Sequence, residues 1–384
     1  MSAPAPPLHL AVALDGAGRH PAAWREPGAR PGELFTARLW ADAVVEAEAG
    51  LLDFVTFEDS FTGPDGRTDL VRGRLDAVLT AARVAPLTRR IGLVPGVTAT
   101  HTEPFHVSKA IATLDHVSRG RAGLCVRVTR RTDEGRHFGR RPAPLPVEEA
   151  YQEAVDHVEV VRRLWDSWDD DAEIRDVATG RFVDRDRLHP IDFEGRHFRI
   201  RGPSITPRPP QGQPLVAARA DGAAAGGHVV RSADLGFLAA HDTEGVRAAV
   251  TELRQARGPA APGPLHLFGE FTVFLDEDGP AAAARRDRLD ARALQVPYSA
   301  GTAVFTGTSG QLADLLQEWR GVGLSGFRLH PGVTAQDLPA ITRTLVPELQ
   351  RRRLFRRAYE ADTLRGLLGL DRPAGRYAAA RPTA

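Results

Sequence analysis

Residues Gly120–Arg141 read GRAGLCVRVTRRTDEGRHFGRR. The first half, Ala122–Thr129, is apolar with β-branched residues, the pattern of a buried strand. The second half is a run of cations, acids and one histidine that resists burial. A buried strand that breaks off at Thr129 into a polar loop is how a parallel barrel opens onto its site.

Working outward, the same unit recurs. Short apolar runs appear at Leu8–Gly16, Leu52–Ser60, Arg90–Thr100, in QPLVAARAD and ADLGFLAAHD, at Leu265–Leu275 and at Ser325–Gly332. With Ala122–Thr129 these make eight candidate strands, separated by turns and segments of helical period. Runs that are apolar on both faces suit parallel strands covered by helices. Eightfold strand–helix alternation predicts an α/β TIM (β/α)8 barrel. The runner-up, an open doubly wound sheet, calls for a phosphate-binding glycine fingerprint, of which LDGAGRH is only a fragment. One segment breaks the rhythm: residues 166–212, rich in Pro, Gly and Asp, form a long insertion between strands 4 and 5. It is expected to cover the C-terminal face of the barrel. The chain reads as a single domain over 8–370, with disordered tails at 1–7 and 371–384.

The chain has 384 residues, 42% hydrophobic and 26% charged, with formal net charge +1, the profile of a globular protein. The near-neutral balance argues against nucleic acid as a partner. One cysteine, Cys125, excludes a disulfide framework and a Cys-rich metal site. No apolar run is long enough to cross a membrane, and no basic n-region opens the chain. A soluble, cytoplasmic protein is expected.

The barrel rule converts strand ends into site candidates. They are His20 and Trp24 after strand one, Asp59 after strand two, and Thr98, Thr100 and His101 after strand three. Strand four contributes Cys125, and strand eight Arg328 and His330. Each has a plainer reading: Asp59 as a helix cap, the threonines as strand formers, and the histidines as solvated loop residues. Metal-ligand spacing and a Gly-x-Ser-x-Gly nucleophile elbow are both missing, and Cys125 lies inside an apolar strand. That combination suits an organic cofactor.

Several stretches carry a likeness to a known family. They are HPAAWRE, ADAVVEAEAGLLDFVTFED, PFHVSKAIATLDHVSRGRAG, EEAYQEAVDHVEVVRRLWDSW, the 166–212 insertion and LVPELQRRRLFRRAYEADTLRGLLGL. Together they resemble the luciferase-like flavin-dependent monooxygenases, in the branch of nitrilotriacetate and dibenzothiophene-sulfone monooxygenases. The resemblance implies a two-component enzyme. Reduced FMN, supplied by a separate flavin reductase, would activate O2 to oxidise a small organic substrate, and the chain would form a homodimer. It places a backbone bulge near Val97 and Thr98 beneath the flavin ring and carries Asp59 and Tyr151 to the cofactor site. It carries Gly222, Gly226 and Gly227 to the phosphate and leaves His101 and His330 for acid–base work, with His20, Trp24 and Arg328 toward substrate. Two motifs depart from the family pattern. Cys125 stands where an amide is usual, and the loop ARADGAAAGGHVV lacks the usual serine. Two other readings share the barrel: a deazaflavin-dependent oxidoreductase, and a non-catalytic partner subunit or degenerate paralogue.

Overall fold

The computed structural model describes residues 8–62, 68–139, 141, 143–239, 241–258, 263–293 and 301–378. Its strands are β1 His9–Leu14, β2 Phe54–Phe57, β3 Gly92–Thr98, β4 Gly123–Arg127, β5 Glu173–Asp176, β6 Arg181–Val183, β7 Phe193–Glu194, β8 Arg199–Ile200, β9 Leu215–Arg219, β10 Leu235–Leu238, β11 His266–Leu275, β12 Ala303–Gly307 and β13 Gly326–Pro331. Eight of them, in the order β1-β2-β3-β4-β9-β10-β11-β13, pair in parallel and close on β1. This is the expected TIM barrel, and its eight strands are those read from the sequence.

The ninth parallel strand, β12, was not anticipated. β11 is ten residues long. Its first half pairs with β10, and its second half, Phe271–Leu275, pairs with β12. The barrel is thus closed by eight strands at the base and widened by β12 toward the C-terminal rim.

Side chains alternate along each strand, so every second residue points into the lumen. The lower lumen is apolar: Ala11, Phe54, Val94, Ala217, Phe237 and Phe268 meet Leu364, Leu368 and Leu370 from the C-terminal segment. Leu364, Leu367 and Leu368 were expected to pack on the barrel, and they do so by plugging its N-terminal end. Gly92 makes the room, since a Cβ there would lie 2.6 Å from Leu364 Cδ1.

The 166–212 insertion lies between the fourth and fifth barrel strands as expected, but on the other side of the molecule. It leaves from the C-terminal end of the helix Val147–Trp165, which runs against the strands, so it begins at their N-terminal ends. There Arg208 Nε donates to Asp166 Oδ1 at 3.0 Å, and Gln211 Nε2 donates to the Ala122 carbonyl, at the foot of β4, at 2.9 Å. Ile191 and Phe198 pack on the outer side of the helix against Val160 and Leu164. Helix-to-strand connections emerge at the closed face of a barrel, and only strand-to-helix connections reach the open one. The insertion is therefore a flank and a base, and the expectation of a cover over the C-terminal face is corrected.

The expected disorder at 371–384 also needs correction for residues 371–378. Arg376 Nη1 donates to Glu159 Oε1 at 2.7 Å, and the Tyr377 ring stacks on His189 at 4.3 Å. Residues 379–384, like the expected tail at 1–7, lie outside the described residues. Among the described residues, no helix is long and apolar enough to cross a membrane.

Candidate active site

Above the apolar plug the lumen becomes ionic. Glu270, the one acid in β11, is fully buried. Its Oε1 accepts from Arg328 Nε at 2.8 Å and from His330 Nε2 at 2.9 Å. Arg328 Nη1 also reaches Thr56 Oγ1 at 3.2 Å and Glu58 Oε1 at 3.3 Å. The Arg328 guanidinium lies over the Phe237 ring at 3.7 Å, and Arg219 Nε approaches Glu270 Oε2 at 3.4 Å. Four strands thus bring two carboxylates and two guanidiniums to one level. A buried cation and anion each need such partners to remain ionised.

The charges set the protonation states. Burial opposes ionisation of Glu58, but Arg328, His330, Arg19 and Arg127 outweigh it and hold its carboxyl down to about 2. Glu270 is likewise held well below the usual carboxylate range: burial opposes this, and Arg328, the His330 hydrogen bond and Arg219 bring it about. Burial lowers His330, with Glu270 opposing, so its ring is neutral at pH 7. A neutral ring that donates from Nε2 to Glu270 has its lone pair on Nδ1, and Nδ1 has no hydrogen-bond partner. His330 is therefore a base held in one tautomer by a buried carboxylate.

Two of the cavities at this rim adjoin the cluster, and a further one is lined by Thr100, His101 and Thr129. The central one is lined by Cys125, Arg127, Tyr151, Arg219, Asp221 and His228, with Arg328 below. The second is lined by Trp24, Leu34, Phe35 and Trp40 together with Asp15 and Arg74. Arg19 and Glu58 line both and mark their common boundary.

Tyr151, on the helix Val147–Trp165, is half-buried and faces the central cavity, where burial and then Asp221 raise its pKa. Its hydroxyl has no hydrogen-bond partner among the described residues, and its ring lies 6.1 Å from that of His228. Burial, helped by Arg231, pushes His228 down to about 4, and its Nε2 has no partner. Gly222 begins the helix Ala223–Ser232 with φ +85°, a conformation that glycine adopts without strain, and a Cβ there would meet nothing within 4 Å. The amides of that first helical turn have no side-chain cap. Gly226 serves packing, since its Cβ would come within 3.1 Å of Leu253, while Gly227 faces open space. The charge of Asp221, just before this helix, is engaged: Arg219 Nε donates to it at 2.7 Å and the Ala239 amide at 3.1 Å.

The other sequence candidates separate. Asp59 accepts from the Ser60 and Ala77 amides at 2.7 and 3.3 Å, a capping arrangement, and lines neither cavity. Its neighbour Glu58 is the acid that reaches the lumen. Val97 and Thr98 stay in register with Val126 and Arg127, so the expected bulge is not formed there. Thr100 Oγ1 accepts from the Thr129 amide at 3.0 Å and ties the ends of β3 and β4 together. His101 stacks on Phe138 at 4.9 Å and meets Phe61 edge-on at 6.3 Å, clasping three rim loops. His20 is buried, with Nδ1 accepting from the Ala22 amide and Nε2 bonded to Asp290 at 3.1 Å. Trp24 lines the second cavity and donates from Nε1 to the Asp69 carbonyl at 3.2 Å. The residues missed were Glu270, Arg219, Asp221 and His228.

Two expected results arise here. Burial pushes the Cys125 thiol up to about 11. Native protein at pH 8 should take up far less than one equivalent of a thiol reagent in the time that unfolded protein takes up one. Rapid stoichiometric labelling of the native state would contradict this. The second concerns pH. Burial lowers His20, His228, His266 and His330 in the fold, the second and third from 6.5 to about 4. The unfolded chain then binds more protons, so unfolding free energy should fall as pH drops below about 6.5. A shift of roughly 2.5 units corresponds to about 3 kcal/mol per group once pH is below 4. Asp115 and Asp337, raised by burial, oppose the decline only in the acid range. Urea midpoints constant from pH 7 to 4.5 would overturn it.

The arrangement can be set beside known proteins. A family model described as luciferase-like monooxygenase matches residues 20–321. N-acetyl-S-(2-succino)cysteine monooxygenase of Bacillus subtilis is 28% identical, covering 97% of this chain and 98% of its own. Nitrilotriacetate monooxygenase component A of Aminobacter aminovorans is 29% identical over 95% and 97%. The crystal structure of DmoA from Hyphomicrobium sulfonivorans superposes with a TM-score of 0.86 at 20% identity, covering 99% of each chain.

Proposed function

The chain belongs to the luciferase-like monooxygenase family, a flavin-dependent monooxygenase of the two-component kind, and from that premise we propose that it takes reduced FMN from a separate reductase into the central cavity and oxidises a small organic molecule held in the second. The observation that carries this reading is an unpartnered Tyr151 hydroxyl in the wall of the central cavity, with Asp221 of the same wall followed directly by the helix start at Gly222, which no side chain caps. A helix N-terminus and a phenol are donors suited to a phosphate. The walls of Cys125, Val126, Val128 and Ala218 offer a flat ring apolar contact. These residues fit FMN. The missing serine is offset by backbone N–H groups, and the Asp221 charge is neutralised by Arg219.

Bound FMN supplies the electrons for O2 activation. The chain's own residues do the rest. Tyr151 and the amides after Gly222 would hold the phosphate. The loops after β2 and β4, tied by Thr62 Oγ1 donating to Glu134 Oε1 at 2.8 Å, shield the rim from water. His330 is the candidate acid–base group, accepting a proton at Nδ1 while Glu270 stabilises the charged ring. Trp24, Phe35 and Trp40 give the substrate an apolar wall, with Arg19 and Arg74 at its edge. Relatives that match nearly the whole chain are named monooxygenases, which favours this reading over the deazaflavin oxidoreductase and the non-catalytic paralogue.

An anaerobic titration with FMN, reduced FMN and a deazaflavin tests the cofactor. Tightest binding of reduced FMN is expected, and preference for the deazaflavin, or no binding of any of the three, overturns the reading. Assembly as a homodimer is part of the proposal. Light scattering at micromolar concentration should give twice the mass of one chain, and the mass of a single chain would refute that part.

A further inference from the structure

Four arginines line the central cavity: Arg19, Arg127, Arg219 and Arg328. Three of them are matched by carboxylates. Arg219 Nε lies 2.7 Å from Asp221 and 3.4 Å from Glu270, Arg328 is held by Glu270 and Glu58, and Arg19 lies 3.7 Å from Asp15. Arg127 makes no hydrogen bond and no ion pair among the described residues. Its field reaches Glu58 and the Cys125 thiol and favours the anion of each. The Glu58 carboxylate is nevertheless bonded to Arg328, and Arg127 keeps its donors free.

The backbone explains where this cation sits. Cys125 and Arg127 alternate with Val126 on β4 and so share a face, and Cys125 packs among the lumen residues. Arg127 is in register with Thr98 of β3. Its stem runs across Gly96, where an added Cβ would lie 3.6 Å from Arg127 Cδ. The side chain therefore crosses β3 toward Glu58, at the end of β2. Around the barrel the strands run β2-β3-β4-β9. Gly222 follows β9, and the Tyr151 ring neighbours His228 on the helix that Gly222 begins. The candidate phosphate donors are thus on the β9 side of Cys125, and the unpaired cation is on the β3 side.

We infer that Arg127 selects the reduced cofactor, by pairing its guanidinium with the N1–C2 oxygen edge of the reduced flavin ring. The inference rests on the reading that FMN occupies the central cavity. Two electrons and one proton turn the oxidised ring into an anion whose charge is shared between N1 and the C2 oxygen, whereas the oxidised ring is neutral. A cation at that edge favours the reduced form, and charge near N1 is one of the means by which a protein tunes a flavin. A guanidinium presents parallel N–H donors that suit such an edge, and a partly buried setting strengthens the attraction. Arg127 also supplies, from the same face of β4, the donor that Cys125 offers only weakly. A chain that receives its flavin already reduced needs this preference, which captures the charged form and lets the oxidised one leave.

Anaerobic titration of reduced FMN and titration of oxidised FMN into the full chain test the inference. Arg127→Met keeps a stem over Gly96 and removes the charge, and it breaks no bond of the free protein. It should weaken reduced FMN about tenfold or more and leave oxidised FMN nearly unchanged. The ratio of the two affinities then falls about tenfold, which for a two-electron couple lowers the midpoint potential of the bound flavin by about 30 mV. Arg127→Lys retains the charge and should restore most of the preference. Equal weakening of both oxidation states would put Arg127 on the phosphate or in the cavity wall and overturn the inference, as would wild-type affinity for both. The two readings fail separately. A wild type that binds neither form overturns the cofactor reading and this inference with it. A wild type that binds flavin while Arg127→Met keeps the same redox preference overturns the inference alone.

Discussion

Replacing Glu270 by Gln is expected to remove about 3–5 kcal/mol of unfolding free energy at pH 7, the range for deleting one partner of a buried ion pair. Glu270 is the shared acceptor for Arg328 Nε and His330 Nε2, and it balances Arg219 from its other oxygen. An amide of the same shape keeps one acceptor but loses the charge. Arg328, 2% exposed, would then retain only Glu58 as counter-charge. The loss is large because a cation is stranded, and a second substitution can show this. Arg328→Met in the Glu270→Gln background removes the stranded charge and should recover at least half of the loss. Urea unfolding of the wild type and both variants measures the cycle. A single-variant loss below about 1 kcal/mol, or no recovery in the double variant, would mean that this ion pair contributes little to the fold.

That cluster also shows where sequence reading stopped. Each of its charges was visible: Glu270 in LHLFGEFTVFL, Arg328 in GFRLHP and Arg219 in LVAARAD each interrupt an apolar strand. A charge at the right parity in a barrel strand must face the lumen or the helices, and parity alone does not say which. Glu270 and Arg328 are 58 residues apart, and only barrel closure makes them neighbours. The eight barrel strands were legible because continuous apolar runs announce burial on both faces. β12 was not, since Ala303–Gly307 is five residues long and buried only at its ends. The insertion was placed on the wrong face because its composition was read and its starting point was not. A segment that follows a helix starts at the closed end, whatever its length. Within FED, three adjacent residues divide the work by alternation: Phe57 packs in the core, Glu58 turns to the lumen and Asp59 caps.

Tyr151→Phe is expected to weaken reduced FMN binding about ten- to a hundredfold with little change in stability. The two halves have different physical sources. Among the described residues the Tyr151 hydroxyl meets no partner, so its removal from the free protein breaks no hydrogen bond and should shift unfolding by no more than about 0.5 kcal/mol. In the proposed complex that hydroxyl would donate to a phosphate, and a hydrogen bond to a charged group is worth roughly 1.5–3 kcal/mol, or one to two decades in Kd. The substitution therefore separates binding from folding, which the glycines cannot do: Gly222 at φ +85° would strain the backbone with any side chain added. Cys125→Asn is the complementary variant. It restores the amide of the family pattern to the cavity wall, and it should tighten binding where the space between Gly96 and Ala217, the neighbours of Cys125 on β3 and β9, admits the longer side chain. Anaerobic titration of reduced FMN into both variants and the wild type measures each effect, and urea unfolding in parallel checks the fold. If Tyr151→Phe leaves Kd unchanged, the phosphate is not held between Tyr151 and Gly222. If Kd and stability fall together, Tyr151 acts through packing, and the cofactor placement must be drawn from other residues of the rim.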